Sequence, residues 1–145
     1  MNAEIIAVGS EMLTPDKIDT NSLFLTQELN TLGIEVVAKS IIGDDRAKLT
    51  AAISAALAAA ELVILTGGLG PTEDDVTRDA VAAALGVGQH FDESVWIQIE
   101  ERFKKFKRTP TANNRRQADI LDGADVLPNP NGTAPGQWFS GSGKI

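Results

Sequence analysis

The stretch that decides the fold runs from Leu62 to Arg78 and reads LVILTGGLGPTEDDVTR. It opens with a run of apolar residues, which is typical of a strand buried on both faces of a parallel sheet. Gly67, Gly68 and Gly70 follow, and glycine allows both a sharp turn and the close approach of a ligand. The apolar periodicity of a helix begins after Thr72. The stretch therefore predicts a strand, a glycine turn and a helix N-terminus, the place where open α/β sheets bind anionic ligands.

The turn is followed by three consecutive carboxylates, Glu73, Asp74 and Asp75. It lacks the lysine of a Walker A loop, and its glycines do not fit G-x-G-x-x-G. One interpretation is structural, because Thr72 and Asp75 fit a capping box and acidic residues in the first turn of a helix stabilise its dipole. That interpretation explains the acids but not the three glycines before them, so the residues favour a ligand site.

The composition restricts the chemistry of such a site. The chain has 145 residues, a net charge of −7, no cysteine and one histidine, His90. Thiolate and multi-histidine metal sites are therefore excluded, and a metal site must be mostly oxygen, which favours Mg²⁺, Mn²⁺ or Ca²⁺. The negative charge argues against nucleic acid as a partner. No apolar run is long enough for a membrane span, and without cysteine or a visible signal peptide the chain is expected in the cytoplasm.

Strand and helix patterns alternate along the chain. The predicted strands are residues 4–8, 34–42, 62–65, 126–127 and 137–139. The predicted helices carry apolar stripes, which are Leu25, Leu29 and Leu32; Leu49, Ile53 and Leu57; Val76, Ala80, Val81, Ala84 and Leu85; and, after the cap Asp92, Val95, Ile99, Phe103 and Phe106. Caps for the first helix are offered by residues 20–22, residues 109–117 are predicted to be a loop, and residues 128–136 a long turn. The alternation predicts an α/β fold with a largely parallel sheet and helices on both faces.

The carboxyl ends of parallel strands meet at one edge of the sheet. The loops after the first three predicted strands therefore share that edge, which we call the rim. They bring together Ser10 and Glu11, Asp44 and Asp45, and the turn at residues 67–75.

The motif TGGLGPTEDDVT at residues 66–77 resembles the signature of the CinA-like, or competence/damage-inducible, family. Further stretches agree with that family in the same order along the chain: EIIAVGSE at 4–11, DTNS at 19–22, GDD at 43–45, NRRQA at 114–118 and NGTAPG at 131–136. The matches cover nearly the whole chain. The chain departs from the family at residues 14–16, Thr-Pro-Asp, where many relatives have glycine.

The CinA-like family belongs to the superfamily of molybdopterin-binding domains. The resemblance implies their fold, a three-layer α/β/α sandwich with a mostly parallel sheet, and a nucleotide-like or pterin-like ligand on the rim. In CinA-like proteins the domain is associated with metal-dependent ADP-ribose pyrophosphatase activity. Residues 1–145 are expected to form one such domain without the nicotinamide-nucleotide amidase domain of many members. Relatives continue the domain beyond the position of Ile145, which leaves open a truncation there.

The resemblance also implies roles for particular residues. Asp44 and Asp75 match the functional aspartates of the superfamily. From the residues themselves we expect these two to hold a divalent cation, Mg²⁺, Mn²⁺ or Co²⁺, and Glu73 or Asp74 to orient a water molecule. The catalytic candidates are thus Asp44, Asp74 and Asp75. The ligand-binding candidates are Gly9, Ser10, Glu11, Asn21, Thr66, Gly67, Gly68, Gly70, Pro71, Thr72, Asn114, Gln117, Gly132, Thr133, Ala134, Pro135 and Gly136, with Arg115 as a further contact for ribose or phosphate.

These observations favour a metal-dependent nucleotide pyrophosphatase that acts on ADP-ribose or a similar nucleotide. The alternative is a binding module for molybdopterin or a related pterin without hydrolytic activity, and a third possibility is a catalytically silent domain kept for assembly. The expected partner is a small-molecule nucleotide or pterin, with no nucleic acid and no membrane. The chain is also expected to form a homo-oligomer.

Overall fold

The computed structural model describes residues 1–141, so the truncation that the sequence left open at Ile145 lies outside the described residues. The strands are β1 (Asn2–Val8), β2 (Glu35–Ile42), β3 (Leu62–Thr66), β4 (Gln89–Phe91), β5 (Asp119–Leu121), β6 (Ala124–Leu127) and β7 (Gly136–Phe139). The α-helices are α1 (Thr20–Thr31), α2 (Arg46–Ala59), α3 (Thr77–Leu85) and α4 (Glu93–Lys105). Residues 1–141 also contain two 3₁₀ helices, η1 (Ser10–Leu13) and η2 (Ala112–Ala118).

The central sheet is parallel, with strand order β2-β1-β3. β1 lies in the middle because its side chains are apolar on both faces, and Ala3, Ile5 and Ile6 are buried. The register pairs Val8 with Ile42 and Ala7 with Thr66. All three strands therefore end at the same edge, as predicted for the rim.

Helices cover both faces of this sheet. On one face Ile6 and Val8 pack with Leu49, Ile53 and Ala56 of α2 and with Ala80 of α3. On the other face Ala3 and Ile5 pack with Leu29 of α1. The three-layer α/β/α arrangement expected from the sequence is thus confirmed.

The second half of the described chain forms a smaller core beside the sheet. Val95, Trp96 and Ile99 of α4 pack against Ala118 and Ile120. The short strands there pair antiparallel, β4 with β5 and β6 with β7. Parallel pairing is therefore confined to β1, β2 and β3.

Aspartates begin three of the helices. Asp19, Asp45 and Asp92 each accept a hydrogen bond from the backbone N–H three residues later, which satisfies one free N–H of the helix end. The cap predicted at Asp92 is confirmed. The cap of α1 is Asp19, one residue before the predicted caps at residues 20–22.

Three expectations about the elements are wrong. Residues 109–117 were expected to be a loop, but most of them form η2, which a capping box at Thr111 and Asn114 stabilises. Leu32 and Phe106 were expected on buried stripes, but each is the residue that caps the end of its helix, and they are 73% and 64% exposed. At a helix end the chain leaves the helical path, so the spacing of the stripe no longer places the side chain in the core.

Candidate functional site

The loops after β1 and β2 are joined by two reciprocal hydrogen bonds. The N–H of Ser10 donates to Asp44 Oδ2 at 3.0 Å, and the N–H of Asp44 donates to Ser10 Oγ at 2.9 Å. Beside them the N–H of Gly9 donates to the carbonyl of Ile42 at 2.9 Å. Glu11 lies in η1 with its carboxylate against Gly9, where an added Cβ would be 2.6 Å from it. The predicted site residues Gly9, Ser10, Glu11 and Asp44 are therefore neighbours on the rim.

The loop after β3, which we call the glycine loop, covers residues 67–76. α3 begins only at Thr77, and Val76 provides no side-chain cap, so the alternative interpretation of Thr72 and Asp75 as a capping box of this helix is wrong. Asp75 Oδ2 instead accepts hydrogen bonds from the N–H of Thr72 at 2.8 Å and from its hydroxyl at 2.6 Å. These two hydrogen bonds join Thr72 to Asp75 within the loop, and the helix begins two residues after Asp75.

Side chains from outside the loop hold its carbonyl groups. Thr77 donates through its hydroxyl to the carbonyl of Gly67 at 2.8 Å. The guanidinium of Arg78 donates to the carbonyls of Leu69 at 2.8 Å and Gly70 at 3.1 Å. Arg116 of η2 donates to the carbonyl of Thr72 at 2.9 Å. With the carbonyls paired, the N–H groups of Gly68 and Leu69 find no acceptor within residues 1–141.

Each glycine of the loop is required by a contact within the protein. A Cβ on Gly67 would lie 2.2 Å from the carbonyl oxygen of Val8, and a Cβ on Gly68 would lie 2.2 Å from Thr77 Oγ1. A Cβ on Gly70 would lie 2.5 Å from the carboxylate of Asp75. Gly67 and Gly68 also have positive φ angles of 91° and 64°. The glycines were interpreted as room for a ligand, but the loop's own packing already accounts for them.

Asp75 lies half-buried within the glycine loop. Partial burial raises the pKa of its carboxyl group, but hydrogen bonds from Thr72 and Gly70 and the charge of Arg78 outweigh that effect, so the net pKa lies below its usual value. Asp75 is therefore ionised at neutral pH. Glu73 and Asp74, its neighbours, are exposed.

Within residues 1–141 no group of three or more histidine, aspartate or glutamate side chains is close enough to hold a metal ion alone. Asp44 and Asp75 each use one carboxylate oxygen for a backbone N–H. Mg²⁺ sites commonly take one or two carboxylates and complete the shell with water and phosphate oxygens. A cation bound by Asp44 and Asp75 would therefore depend on water and phosphate oxygens for most of its ligands.

The remaining candidates lie around η2 and the loop at residues 128–136. Asn114 and Gln117 are buried, and Asn114 Nδ2 donates to Gln117 Oε1 at 3.2 Å. Gln117 Nε2 donates to Thr133 Oγ1 at 2.9 Å. Their polar atoms are thus paired within the protein. The guanidinium of Arg115 lies over the ring of Phe91, 4.2 Å from its centroid.

Asn129 organises the loop that carries Gly132 to Gly136. Its Oδ1 accepts from the N–H groups of Asn131 and Gly132, both at 3.0 Å, and its Nδ2 donates to the carbonyl of Ala134 at 2.8 Å. Pro135 is buried and Gly136 begins β7. A groove of about 390 Å³ separates this loop from α4.

Three further predicted ligand residues lie in β3, in the glycine loop and in α1. Thr66 is the last residue of β3 and pairs with Ala7, and Pro71 lies half-buried in the glycine loop. Asn21 is exposed in the first turn of α1, and within the described part of the chain no hydrogen bond joins its side chain to the rim. A second, mainly apolar groove of about 660 Å³ runs along β3 past Leu69 and Arg78. Asp44 and Asp75 line neither groove.

Sequence reasoning missed two arginines that organise the site. Arg78 is 5% exposed although it is charged, and burial lowers its pKa. The sequence did indicate the burial of Arg78, because Arg78, Val81 and Leu85 share one face of α3, which places an arginine on an apolar stripe. Arg116 lay in the stretch that was expected to be a loop, and nothing in the sequence indicated its contact with Thr72.

Comparison with known proteins identifies the family and the fold of the chain. The family model described as "Probable molybdopterin binding domain" matches residues 4–145. The crystal structure of the protein CinA from Thermoplasma acidophilum, a protein of unknown function, superposes with a TM-score of 0.91 at 32% identity, over 99% of this chain and 85% of that one. The chain belongs to the CinA-like branch of the molybdopterin-binding-domain family.

Curated CinA-like relatives are considerably longer than this chain. A "CinA-like protein" of Solibacter usitatus is 56% identical over 143 residues, which are 99% of this chain and 34% of that protein. A second, of Koribacter versatilis, is 50% identical over 141 residues, 97% of this chain and 34% of the relative. The chain thus spans about a third of the length of these relatives.

More distant solved structures share the fold alone. The tungsten cofactor synthesizing protein MoaB from Pyrococcus furiosus superposes with a TM-score of 0.55 at 20% identity, over 89% of this chain and 74% of that one.

In residues 1–141 of this CinA-like chain, none of the helices has the length and apolar character needed to cross a bilayer.

Proposed function

We propose that the rim binds a phosphate-bearing nucleotide such as ADP-ribose and hydrolyses its pyrophosphate bond with the help of a divalent cation. The observation that carries the proposal is the glycine loop, whose carbonyl groups are paired with Thr77, Arg78 and Arg116. The N–H groups of Gly68 and Leu69 remain to donate to phosphate oxygens.

The carboxylates of the rim are the second feature that supports the proposal, because they are suited to bind a cation. Asp44 and Asp75 would hold Mg²⁺, Mn²⁺ or Co²⁺, which offsets the charge of the phosphates and polarises the phosphorus that is attacked. Both carboxylates are oriented by backbone N–H groups before any ligand arrives. Such preorganisation avoids a reorganisation cost during the reaction.

In the reaction a water oxygen forms a bond to one phosphorus, and the bond from that phosphorus to the bridging oxygen breaks. ADP-ribose and water give AMP and ribose 5-phosphate, and the water's proton passes to a carboxylate or to solvent. Glu73 and Asp74 are exposed beside Asp75, where either could orient the water. The loop of Thr133 to Gly136 would contact the second phosphate.

The test is an incubation of the pure protein with ADP-ribose and Mg²⁺, Mn²⁺ or Co²⁺, followed by chromatography of the products. We expect AMP and ribose 5-phosphate, loss of the activity with EDTA and its return with excess cation. Full activity in metal-free buffer would contradict the role of the cation. Absence of AMP with all three cations would contradict the proposed reaction.

A second candidate function is favoured by the description of the matching family, which names a molybdopterin-binding domain. In that case the same N–H donors would bind the phosphate of a pterin without hydrolysing it. Denaturation of the purified protein would then release a compound with pterin fluorescence. Such a release together with absent AMP formation would support this candidate against the first.

A further inference from the structure

The 3₁₀ helix η2 lies between the glycine loop and the loop of Thr133. It contains Arg116 and Gln117 as consecutive residues. In a 3₁₀ helix consecutive side chains are about 120° apart around the axis, so the two can reach in different directions. Arg116 contacts the glycine loop and Gln117 contacts Thr133.

Arg116 joins the glycine loop to α3 as well as to η2. Its Nη1 donates to the carbonyl of Thr72 at 2.9 Å, and its Nη2 lies 3.5 Å from Asp79 Oδ2 of α3. The same carbonyl accepts the N–H of Asp75 at 3.2 Å. Arg116 therefore acts on the turn that orients the carboxylate of Asp75.

Gln117 fixes the other loop through a buried amide. Its side chain is 3% exposed, and both ends of the amide are paired, Nε2 with Thr133 Oγ1 and Oε1 with Asn114 Nδ2. Rotation of this amide would break both hydrogen bonds in a buried environment, which is costly. Thr133 is thus held at a defined position relative to η2.

η2 itself is anchored to the smaller core and has little freedom to move. Ala118 is fully buried, and its carbonyl accepts the N–H of Asp92, the capping residue of α4, at 2.9 Å. Thr111 and Asn114 close its first turn, and Arg115 packs on the ring of Phe91. η2 therefore holds Arg116 and Gln117 in a fixed relation, so one rigid element sets the positions of both loops that they contact.

We propose that η2 couples the glycine loop to the Thr133 loop, with Arg116 and Gln117 as positioning residues for a ligand whose two phosphates contact one loop each. The inference rests on the proposed function for the identity of that ligand, a nucleoside pyrophosphate. The coupling itself is a property of the unliganded protein, because every contact in the chain of Thr72, Arg116, Gln117 and Thr133 exists without a ligand.

Amide hydrogen exchange, followed by NMR on the unliganded protein, tests the coupling. The amides of Asp75 and Gly132 report on the two loops, because each donates a hydrogen bond within its own loop. Arg116→Met removes the donors but keeps most of the side-chain stem. Thr133→Val removes the acceptor of Gln117 and leaves η2 intact. Lys39→Met, on an exposed position of β2, is the matched control for a lost positive charge.

Each variant should speed exchange in its own loop by about tenfold, as expected for a lost hydrogen bond. The decisive measurement is the exchange rate in the loop that was not mutated. We expect that rate to rise at least about threefold at Gly132 in Arg116→Met and at Asp75 in Thr133→Val. Lys39→Met should change neither amide. Increases that stay within the mutated loop in both variants would overturn the proposal.

Steady-state kinetics with ADP-ribose and Mn²⁺ give a second readout that a purely structural role would not move. Each single variant should raise KM, and the double variant should raise it by less than the product of the two single effects, because either change already uncouples the loops. Multiplying effects would overturn the coupling. If the parent does not turn over ADP-ribose, the proposed function fails, while the exchange measurement still decides the coupling.

Discussion

Gly68 and Gly33 share a left-handed backbone but differ in their surroundings. Their φ angles are 64° and 73°. A Cβ on Gly68 would meet Thr77 Oγ1 at 2.2 Å, whereas a Cβ on Gly33 would meet nothing within 4 Å. The pair therefore separates backbone strain from steric clash.

We predict that Gly33→Ala lowers the free energy of unfolding by about 1 kcal/mol, the usual cost of a left-handed non-glycine residue. Gly68→Ala should cost about 1–3 kcal/mol more, because Thr77 must also move and its hydrogen bond to Gly67 weakens. Urea unfolding of both variants and the parent measures the difference. Equal losses would contradict the account of the glycine loop's packing.

Asp75 gives a pH-dependent prediction. A carboxyl group whose pKa is lower in the folded than in the unfolded protein stabilises the fold above the unfolded pKa, about 4, and that contribution is lost as the pH falls through the folded pKa. Asp75→Asn removes the titrating group but keeps a hydrogen-bond acceptor. We expect the parent to melt at a higher temperature than Asp75→Asn at neutral pH, and the difference to shrink below about pH 4.

Thermal unfolding of parent and variant across this pH range checks the expectation. Asp125→Asn is the control, since Asp125 is exposed on β6. A melting difference that is the same at neutral and acidic pH would show that the charge of Asp75 contributes nothing to the loop. Turnover measured on the same preparation should be lost in Asp75→Asn and retained in the control.

At the scale of elements, α3 and the glycine loop form one unit through Arg78. Its buried guanidinium donates to two carbonyl groups of the loop. Arg78→Lys keeps the charge but offers a single ammonium in place of a planar fork. Arg78→Met leaves both carbonyls without their donor.

We predict that Arg78→Met lowers the free energy of unfolding by about 2–5 kcal/mol and that Arg78→Lys lowers it by less. Chemical denaturation measures both, and Lys39→Met serves again as the exposed control. A loss below about 0.5 kcal/mol in Arg78→Met, the range of ordinary surface substitutions, would contradict the role assigned to this arginine.

The sequence sufficed for the long elements and for the short strands β6 and β7, but it missed β4, β5 and η2. The stripes of Leu49, Ile53 and Leu57 and of Val95 and Ile99 lie in helices as predicted. β4 and β5 have three residues each, too few to show a period, and η2 depends on the capping box at Thr111 and on burial of Ala118. The late start of α3 depends on Asp75, which bonds to Thr72 instead of capping the helix.

At the scale of the whole molecule, parallel topology explains why the rim could be predicted. Strands that run in the same direction end at one edge, so the loops of Ser10, Asp44 and Asp75 had to meet there. The contacts of Arg116 with Thr72 and of Gln117 with Thr133 could not be predicted, because they join groups that are distant in the sequence. The cation, the nucleotide and the homo-oligomer stay predictions, and the exposed apolar residues Phe24 of α1 and Val37 of β2 are consistent with the last of these.

The most direct test of the central claim is the release of AMP from ADP-ribose with Mn²⁺, compared between the parent and Asp44→Asn. Asparagine can still accept the N–H of Ser10, so the loop should persist while the charge that would bind the cation is lost. Asp16→Asn, in the exposed segment after η1, is the control. We predict AMP release by the parent and the control and a loss of at least about 100-fold in Asp44→Asn, as expected when a group that stabilises the transition state is removed. Equal rates in the parent and Asp44→Asn, or no AMP from the parent, would contradict the account.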